Sequence, residues 1–388
     1  MALVKRYFST AAAGAGDGTS WANRAAFIVT GTVNTIVSAF DFTSDSLIAY
    51  VGPGTYTFTT GIATFTGTTI PSQLFPCEIK ACDNSGVEWV PPDPDWVSAQ
   101  PVWSDTNMPV FATTTNIVTI SNVAVNVYGI KFTASARTTN VLIVSRAIWC
   151  IGISSISNST ATVVSAVTML ENCCFECSGT AYASVVSATG STPPIENVRM
   201  IGNASASSGT RYGYATTSNS FINLSRCTAA NNPGGGFAHT STGTNARIFM
   251  TNCVAVNNSV AGIYTTGTST SLHTISKCMV TGSGMTNGIY INGTGKAHIQ
   301  LNRIRDYSGA AISGNAIYCD PPEWGNVTTS GTDADEYVDA GAGDYRIKNT
   351  SVYWGMGIGA GDQTAAGGDY TYAQVKQLRY KMRQGART

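Results

Sequence analysis

Hydrophobic and polar residues alternate along this chain in runs too short for helices. Stretches such as Ile248-Phe249-Met250 have strand length and a period of two, with Gly, Asn and Ser at the turns between them. From about Val110 to Cys319 no segment has a convincing helical period, so short strands are the predicted elements throughout.

The alternation repeats. "NCVAVNNSVAGIYTTG" (Asn252 to Gly267) restates "RCTAANNPGGGFAHTSTG" (Arg226 to Gly243), and "KCMVTGSGMTNGIYINGTG" (Lys277 to Gly295) restates both. Cys227, Cys253 and Cys278 are 26 and 25 residues apart, and steps of similar length reach Val123, Cys150, Cys173, Met200 and Arg303. A second marker travels with the first: Gly213-Tyr214, Gly236-Phe237, Gly262-Ile263 and Gly288-Ile289.

Short strands, turn residues and this period fit one coil of a parallel β-helix. A leucine-rich repeat has a similar period, but its Leu lattice is absent. Equivalent positions of successive coils would stack about 4.8 Å apart. The cysteine column then reads as an internal ladder of small apolar fillers rather than a metal site or redox pair, because free cysteine is among the most buried residue types. Asn231 and Asn257, four residues past their cysteines, are expected to form a turn ladder.

The two ends of the repeat resemble a known family. "YFSTAAAGAGDGTSWANRAAF" (Tyr7 to Phe27) followed by "IAYVGPGTYTF" (Ile48 to Phe58) resembles the opening of right-handed β-helix proteins of the pectate-lyase-like class. "DYRIKNTSVYWGMGIGAGD" (Asp344 to Asp362) resembles their closing coil. The expected fold is all-β: a right-handed parallel β-helix (solenoid), with a short N-terminal capping helix around Trp21–Ser38 and a C-terminal tail helix. Its expected divisions are a cap over 1–47, the β-helix over 48–362 and a basic tail over 363–388. The Pro- and Trp-rich stretch 76–109 reads as an insertion or side loop.

Composition narrows the partners. Charged residues make up 11% of the chain, against roughly 25% in an ordinary soluble domain. The formal net charge is zero, which gives the whole chain no electrostatic reason to seek nucleic acid or acidic lipid. No apolar run reaches the ~18 residues of a membrane span. The N-terminus lacks the apolar core of a secretory signal, so the expectation is either a mature form or a route other than general export.

Many proteins of this fold class cleave polysaccharides, which requires facing carboxylates or a base beside calcium-binding acids. From Thr106 to Arg305 the only acids are Glu171, Glu176 and Glu196, and five residues apart on strands the first two are expected to point opposite ways. His239, His273 and His298 read as solvated turn residues, with only the last two spaced for adjacent coils. "DADEYVDAGAGD" (Asp333 to Asp344) lacks EF-hand spacing and reads as a solvated turn. "NNPGGGF" lacks the Lys-Ser/Thr of a phosphate loop. No catalytic, cofactor or metal residue is assigned.

The missing carboxylates, the lack of an export signal, a fold that begins almost at Met1 and no C-terminal anchor after Asp362 resemble tailed-phage structural proteins, and the expectation is a non-enzymatic virion protein, a capsid decoration or cement protein on the particle surface. The alternatives are a tail spike or fibre, a carbohydrate-active β-helix protein, and a bacterial surface adhesin, with an extracellular location if not a virion. Expected partners are two further copies in a homotrimer, other capsid or tail proteins, and possible host surface glycans. The tail offers Lys376, Arg379, Tyr380, Lys381, Met382, Arg383 and Arg387 as partner-binding residues on a basic amphipathic helix; it is otherwise a solvated terminal cap.

Overall fold

The computed structural model describes residues 2–27, 37, 40–58, 71–90, 108–113, 118–120, 124–137, 140–144, 146–158, 160–167, 169–188, 194–206, 211–216, 221–240, 247–267, 272–282, 284–314, 318–319, 337–339 and 344–348. The chain divides into two compact units, one of Met1–Pro94 with Val102–Ala188, the other of Asp95–Pro101 with Thr189–Thr388. Each is a parallel β-solenoid built from three sheets, and the right-handed β-helix expected from the repeat is the fold the chain adopts.

In the first unit, sheet I stacks Leu3–Ser9, Ser46–Val51, Cys77–Ala81, Val125–Tyr128, Arg146–Ile148 and Met169–Glu171. Sheet II stacks Gly54–Phe58, Pro109–Thr113, Lys131–Arg137, Ile151–Ile156 and Cys174–Cys177. Sheet III stacks Val118–Ile120, Leu142–Val144, Thr162–Val167 and Ser184–Ala188. The strand Cys77–Ala81 pairs with both Ser46–Val51 and Val125–Tyr128. The start of the supposed side loop at 76–109 is therefore a solenoid strand; residues 91–107 lie outside the described residues.

The second unit repeats the plan. Sheet I holds Pro194–Glu196, Phe221–Ser225, Arg247–Thr251, Leu272–Ser276, Lys296–Gln300 and Tyr318–Cys319. Sheet II holds Arg199–Ile201, Thr228–Ala230, Val254–Val256, Met279–Thr281 and Arg303–Ile304. Sheet III holds Tyr212–Thr216, Gly235–His239, Ala261–Gly267, Met285–Gly293 and Tyr307–Gly314. The Gly marker has a steric cause. A Cβ on Gly262 would stand 2.2 Å from Val280 Cγ1, because sheets II and III converge there. The apolar partner of that marker forms an inward column, Tyr214-Phe237-Ile263-Ile289, in register across four strands.

One residue turns the corner from sheet I to sheet II in each coil. Trp149 and Asn172 in the first unit, and Asn197, Arg226, Asn252, Lys277 and Leu301 in the second, have φ between 51 and 55°. This left-handed backbone reverses the side-chain phase, so the next residue points into the interior. The ladder thus runs Cys150-Cys173 in one unit and Val198-Cys227-Cys253-Cys278-Asn302 in the other, all buried. Three expected members are corrected by strand register. Met200 pairs with Ala229, which places Val198 in the ladder. Arg303 pairs with Met279, which places Asn302 there. Lys131 pairs with Ile151, which makes Ile130 the counterpart of Cys150; Val123 lies outside the described residues.

The thiols also make hydrogen bonds. Cys227, Cys253 and Cys278 each direct Sγ to the carbonyl two residues back, at 3.3 Å in every case. Asn302 does the same work with an amide: Oδ1 accepts from the Cys278 N–H at 2.9 Å and Nδ2 donates to Ile275 O at 3.0 Å. Burial, followed by the neighbouring thiols Cys227 and Cys278, pushes the Cys253 thiol well above its ordinary range. The nucleophilic thiolate is thereby withheld. Cys227, Cys253 and Cys278 should all resist a thiol reagent in the native protein and react together on unfolding; rapid native labelling of all three would contradict the ladder. Cys253→Ser should cost about 1–3 kcal/mol, read from urea unfolding, because the hydroxyl, on a shorter bond than the thiol, buries a more polar group at a site shaped for sulfur.

The first part of the expected capping helix, Trp21–Phe27, is not helical; Val37 is, and residues 28–36 and 38 lie outside the described residues. Trp21–Asn23 make a turn, and Ala25–Ala26 pair as a parallel strand with Phe8–Ser9. The cause lies in "GAGDGTS": Gly14, Gly16 and Gly18 all have positive φ, and Asp17 Oδ1 accepts from both the Thr19 N–H and its hydroxyl. Such a loop returns the chain to the sheet edge, where the Phe27 N–H reaches Ser9 O at 2.8 Å. Among the described residues only Val37 is helical. The expected tail helix, with Lys376, Arg379, Tyr380, Lys381, Met382, Arg383 and Arg387, lies outside them.

Candidate functional site

A cluster of aromatic and charged side chains lies on the outer face of sheet I in the first unit. Strand register places Tyr7, Tyr50, Lys80 and Tyr128 in one row. The Tyr7 and Tyr50 rings stack at 5.2 Å with 19° between their planes. Lys80 Nζ sits 4.9 Å from the Tyr128 ring centroid, a cation–π contact.

A small hairpin supplies the acids. Asp83 Oδ1 accepts from the Ser85 and Val87 N–H groups, an Asx-type turn that brings Glu88 back to bridge Cys82 in antiparallel fashion. Those two bonds hold the Asp83 carboxyl below the usual carboxylate range. Lys80 Nζ then lies 3.0 Å from Glu88 Oε1 and 3.1 Å from Glu78 Oε2. The Tyr50 hydroxyl donates to Glu88 Oε2 at 3.2 Å.

The electrostatics fix the state of two groups. Desolvation works to lower the Lys80 pKa, but hydrogen bonds and attraction from Glu88 and Glu78 outweigh it, and the net shift is upward. Desolvation first, then Glu88, pushes the Tyr50 phenol up to about 12. Lys80 therefore stays an ammonium and Tyr50 a hydrogen-bond donor at neutral pH. Both carboxylates are engaged by a single cation between them. Each carboxylate thus has Lys80 as its cationic partner.

The central carboxylates are separated. Glu171 stands on sheet I beside Ile148, while Glu176 stands on sheet II beside Ile153. The expectation that they do not pair holds, although the cause is the corner at Asn172 rather than alternation within one strand. Glu196, in the second unit, is ion-paired with Arg226. The acidic run Asp333 to Asp344 contributes an antiparallel pair, Tyr337–Asp339 with Asp344–Ile347. No three His, Cys, Asp or Glu side chains come together as a metal site among the described residues.

The histidines depart from expectation. His239 on sheet III and His273 on sheet I are fully buried, with ring centroids 5.4 Å apart across the interior of the second unit. They are not solvated turn residues. His273 Nδ1 accepts from the Ile248 N–H at 3.3 Å, which places its proton on Nε2. His298 lies on the outer face of sheet I beside Thr274.

The turn asparagines stand where they are expected, and each is followed by a second asparagine. Asn231 and Asn257 hold the left-handed corner, with φ of 59 and 51°. Their successors Asn232 and Asn258 turn inward and are buried. Asn258 Oδ1 accepts from the Asn232 N–H at 3.0 Å and from Asn232 Nδ2 at 3.1 Å, while Asn258 Nδ2 donates to Ala229 O at 3.0 Å.

The geometry defines the class: a parallel β-solenoid with laddered interior turns and an aromatic, charge-paired outer face. No family model, curated protein or solved structure matches the chain. The family resemblance therefore rests on its own motifs and on the architecture they form.

Proposed function

We propose that this chain is a non-enzymatic structural protein of a bacteriophage virion, a capsid decoration or cement protein exposed on the particle surface. One observation carries the non-catalytic part of the reading. Residues 197–305, which build most of the second unit's coils, contain no Asp or Glu, and the acids flanking or preceding them are ion-paired or on separate sheets. Laddered Cys and Asn interiors supply rigidity without a reactive group at the surface. A tail spike, a polysaccharide-cleaving enzyme or an adhesin would use the same solenoid, but the paired carboxylates that would favour cleavage are, at Glu78 and Glu88, both engaged by Lys80.

The proposal includes attachment through the tail, where Lys376, Arg379, Lys381, Arg383 and Arg387 concentrate positive charge and Tyr380 and Met382 add apolar area. Truncation after Asp369 should leave a folded protein that no longer binds purified particles, and added salt should weaken binding of the full chain. A truncated protein that decorates particles as well as the full chain would place attachment elsewhere. A homotrimer is the proposed assembly, and sedimentation of a monomer alone at micromolar concentration would count against it.

A further inference from the structure

Residues 197–305 contain eight Arg or Lys side chains with no acid among them, in a chain whose formal net charge is zero. The fold treats these cations differently. Arg199, Arg211, Arg303 and Arg305 are buried, and Arg226 pairs with Glu196. Arg247, Lys277 and Lys296 meet no carboxylate among the described residues.

Two of these three share a face. On sheet I of the second unit, burial alternates strictly: Ile222, Leu224, Ile248, Met250, Ile275 and Ile299 point inward. Phe221 opposes Arg247 in the outward row, and Leu272 opposes Lys296, so apolar and cationic side chains alternate from coil to coil. Phe249 occupies the neighbouring outward row, and its ring contacts Phe221 at 4.5 Å between centroids. Phe221 is 36% exposed and Leu272 39% exposed. Lys277 stands at the corner that leaves this face.

We infer that this face docks an acidic protein surface. Rings, an aliphatic side chain and an Arg within one flat patch are the composition of interface anchors. The cations lack counter-charges that a partner would supply, which steers encounter and fixes orientation. A second copy of this chain fits poorly, because a parallel neighbour would bring the same acid-free coils against these cations. A linear polyanion would engage Arg247 and Lys296 but leave Phe221, Phe249 and Leu272 in water. Three copies, if they associate, do so through other faces. The partner need not belong to a particle.

The test uses the full chain with two soluble probes, poly-L-glutamate and a random Glu–Tyr copolymer. The copolymer should bind at least about tenfold more tightly, since only it can bury apolar side chains against the rings. Arg247→Glu with Lys296→Glu should abolish binding of both. Phe221→Ser with Phe249→Ser should reduce copolymer affinity to that of poly-L-glutamate. All four positions lie on the outward face, and unchanged thermal melting of each variant shows that folding is intact. If a variant does melt early, Lys296→Ala alone serves, with an expected several-fold loss. Equal affinity for both probes, or binding indifferent to the charge reversal, overturns the inference. Tighter binding of heparin or duplex DNA that the Phe substitutions do not alter assigns the face to polyanions and also overturns it. So does self-association in sedimentation that the charge reversal abolishes.

Discussion

Asn258→Leu is expected to destabilise the second unit by about 2–6 kcal/mol, because it strands two buried backbone groups that cost about 1–3 kcal/mol each. The Asn232 N–H loses the Asn258 Oδ1 acceptor, and Ala229 O loses the Asn258 Nδ2 donor. Leucine keeps the branched four-heavy-atom skeleton and is bulkier than asparagine, so no cavity opens and none contributes to the loss. Asn223→Leu, on the exposed face of the adjoining sheet, is the control and should change stability little. Urea unfolding at neutral pH checks both; a loss below about 1 kcal/mol for Asn258→Leu would remove the ladder's energetic role.

The second large effect concerns acid. Burial first, and then His239, lowers the His273 pKa from 6.5 to about 4. The unfolded chain takes up a proton below pH 6.5, while the folded chain resists it until about pH 4. This contribution to stability is therefore intact above pH 6.5 and declines as pH falls toward 4, by about 3 kcal/mol in all at ~1.4 kcal/mol per unit. Carboxylates titrate in the same window, so the comparison is with His273→Leu. The wild-type protein should lose about 2–3 kcal/mol more than this variant between pH 7 and pH 4.5. Parallel stability curves for the two proteins would show that the buried imidazole is not the acid-sensitive element.

Much of the fold was legible because a solenoid writes its period directly into the sequence. Cys227, Cys253 and Cys278 recur with inward direction and similar coil length, and the Gly-Phe or Gly-Ile marker fixes a second corner. Counting residues failed where loop length changed. Met200 and Arg303 sit at plausible intervals, yet the strands Arg199–Ile201 and Arg303–Ile304 begin just after the true ladder residues Val198 and Asn302. The left-handed residue before each ladder position was the missing signal; Asn172, Asn197 and Asn252 advertise it, whereas Trp149, Lys277 and Leu301 conceal it.

The candidate site was less legible. The fold class places its acids on the central coils, whereas Glu78 and Glu88 meet through a hairpin closed by Asp83, within a stretch that reads as an insertion. The "CDNSG" sequence between them is the turn signal that betrays the return. His239 and His273 escaped because their separation is not one period: they face each other from different sheets rather than stacking in one column. The expected helix does not begin at Trp21 because Ala25–Ala26 are taken up as a strand beside Phe8–Ser9, after a loop set by three left-handed glycines and an Asx turn.

The proposed structural role on a virus particle is tested most directly by cryo-electron microscopy of particles purified from the source that encodes this chain. The account predicts three-sheet solenoid density at many symmetry-related positions on the capsid exterior, absent from particles lacking the gene and restored by adding purified protein. Intact particles in which neither the density nor the protein can be found, together with release of oligosaccharide from a polysaccharide by the purified protein, would contradict it.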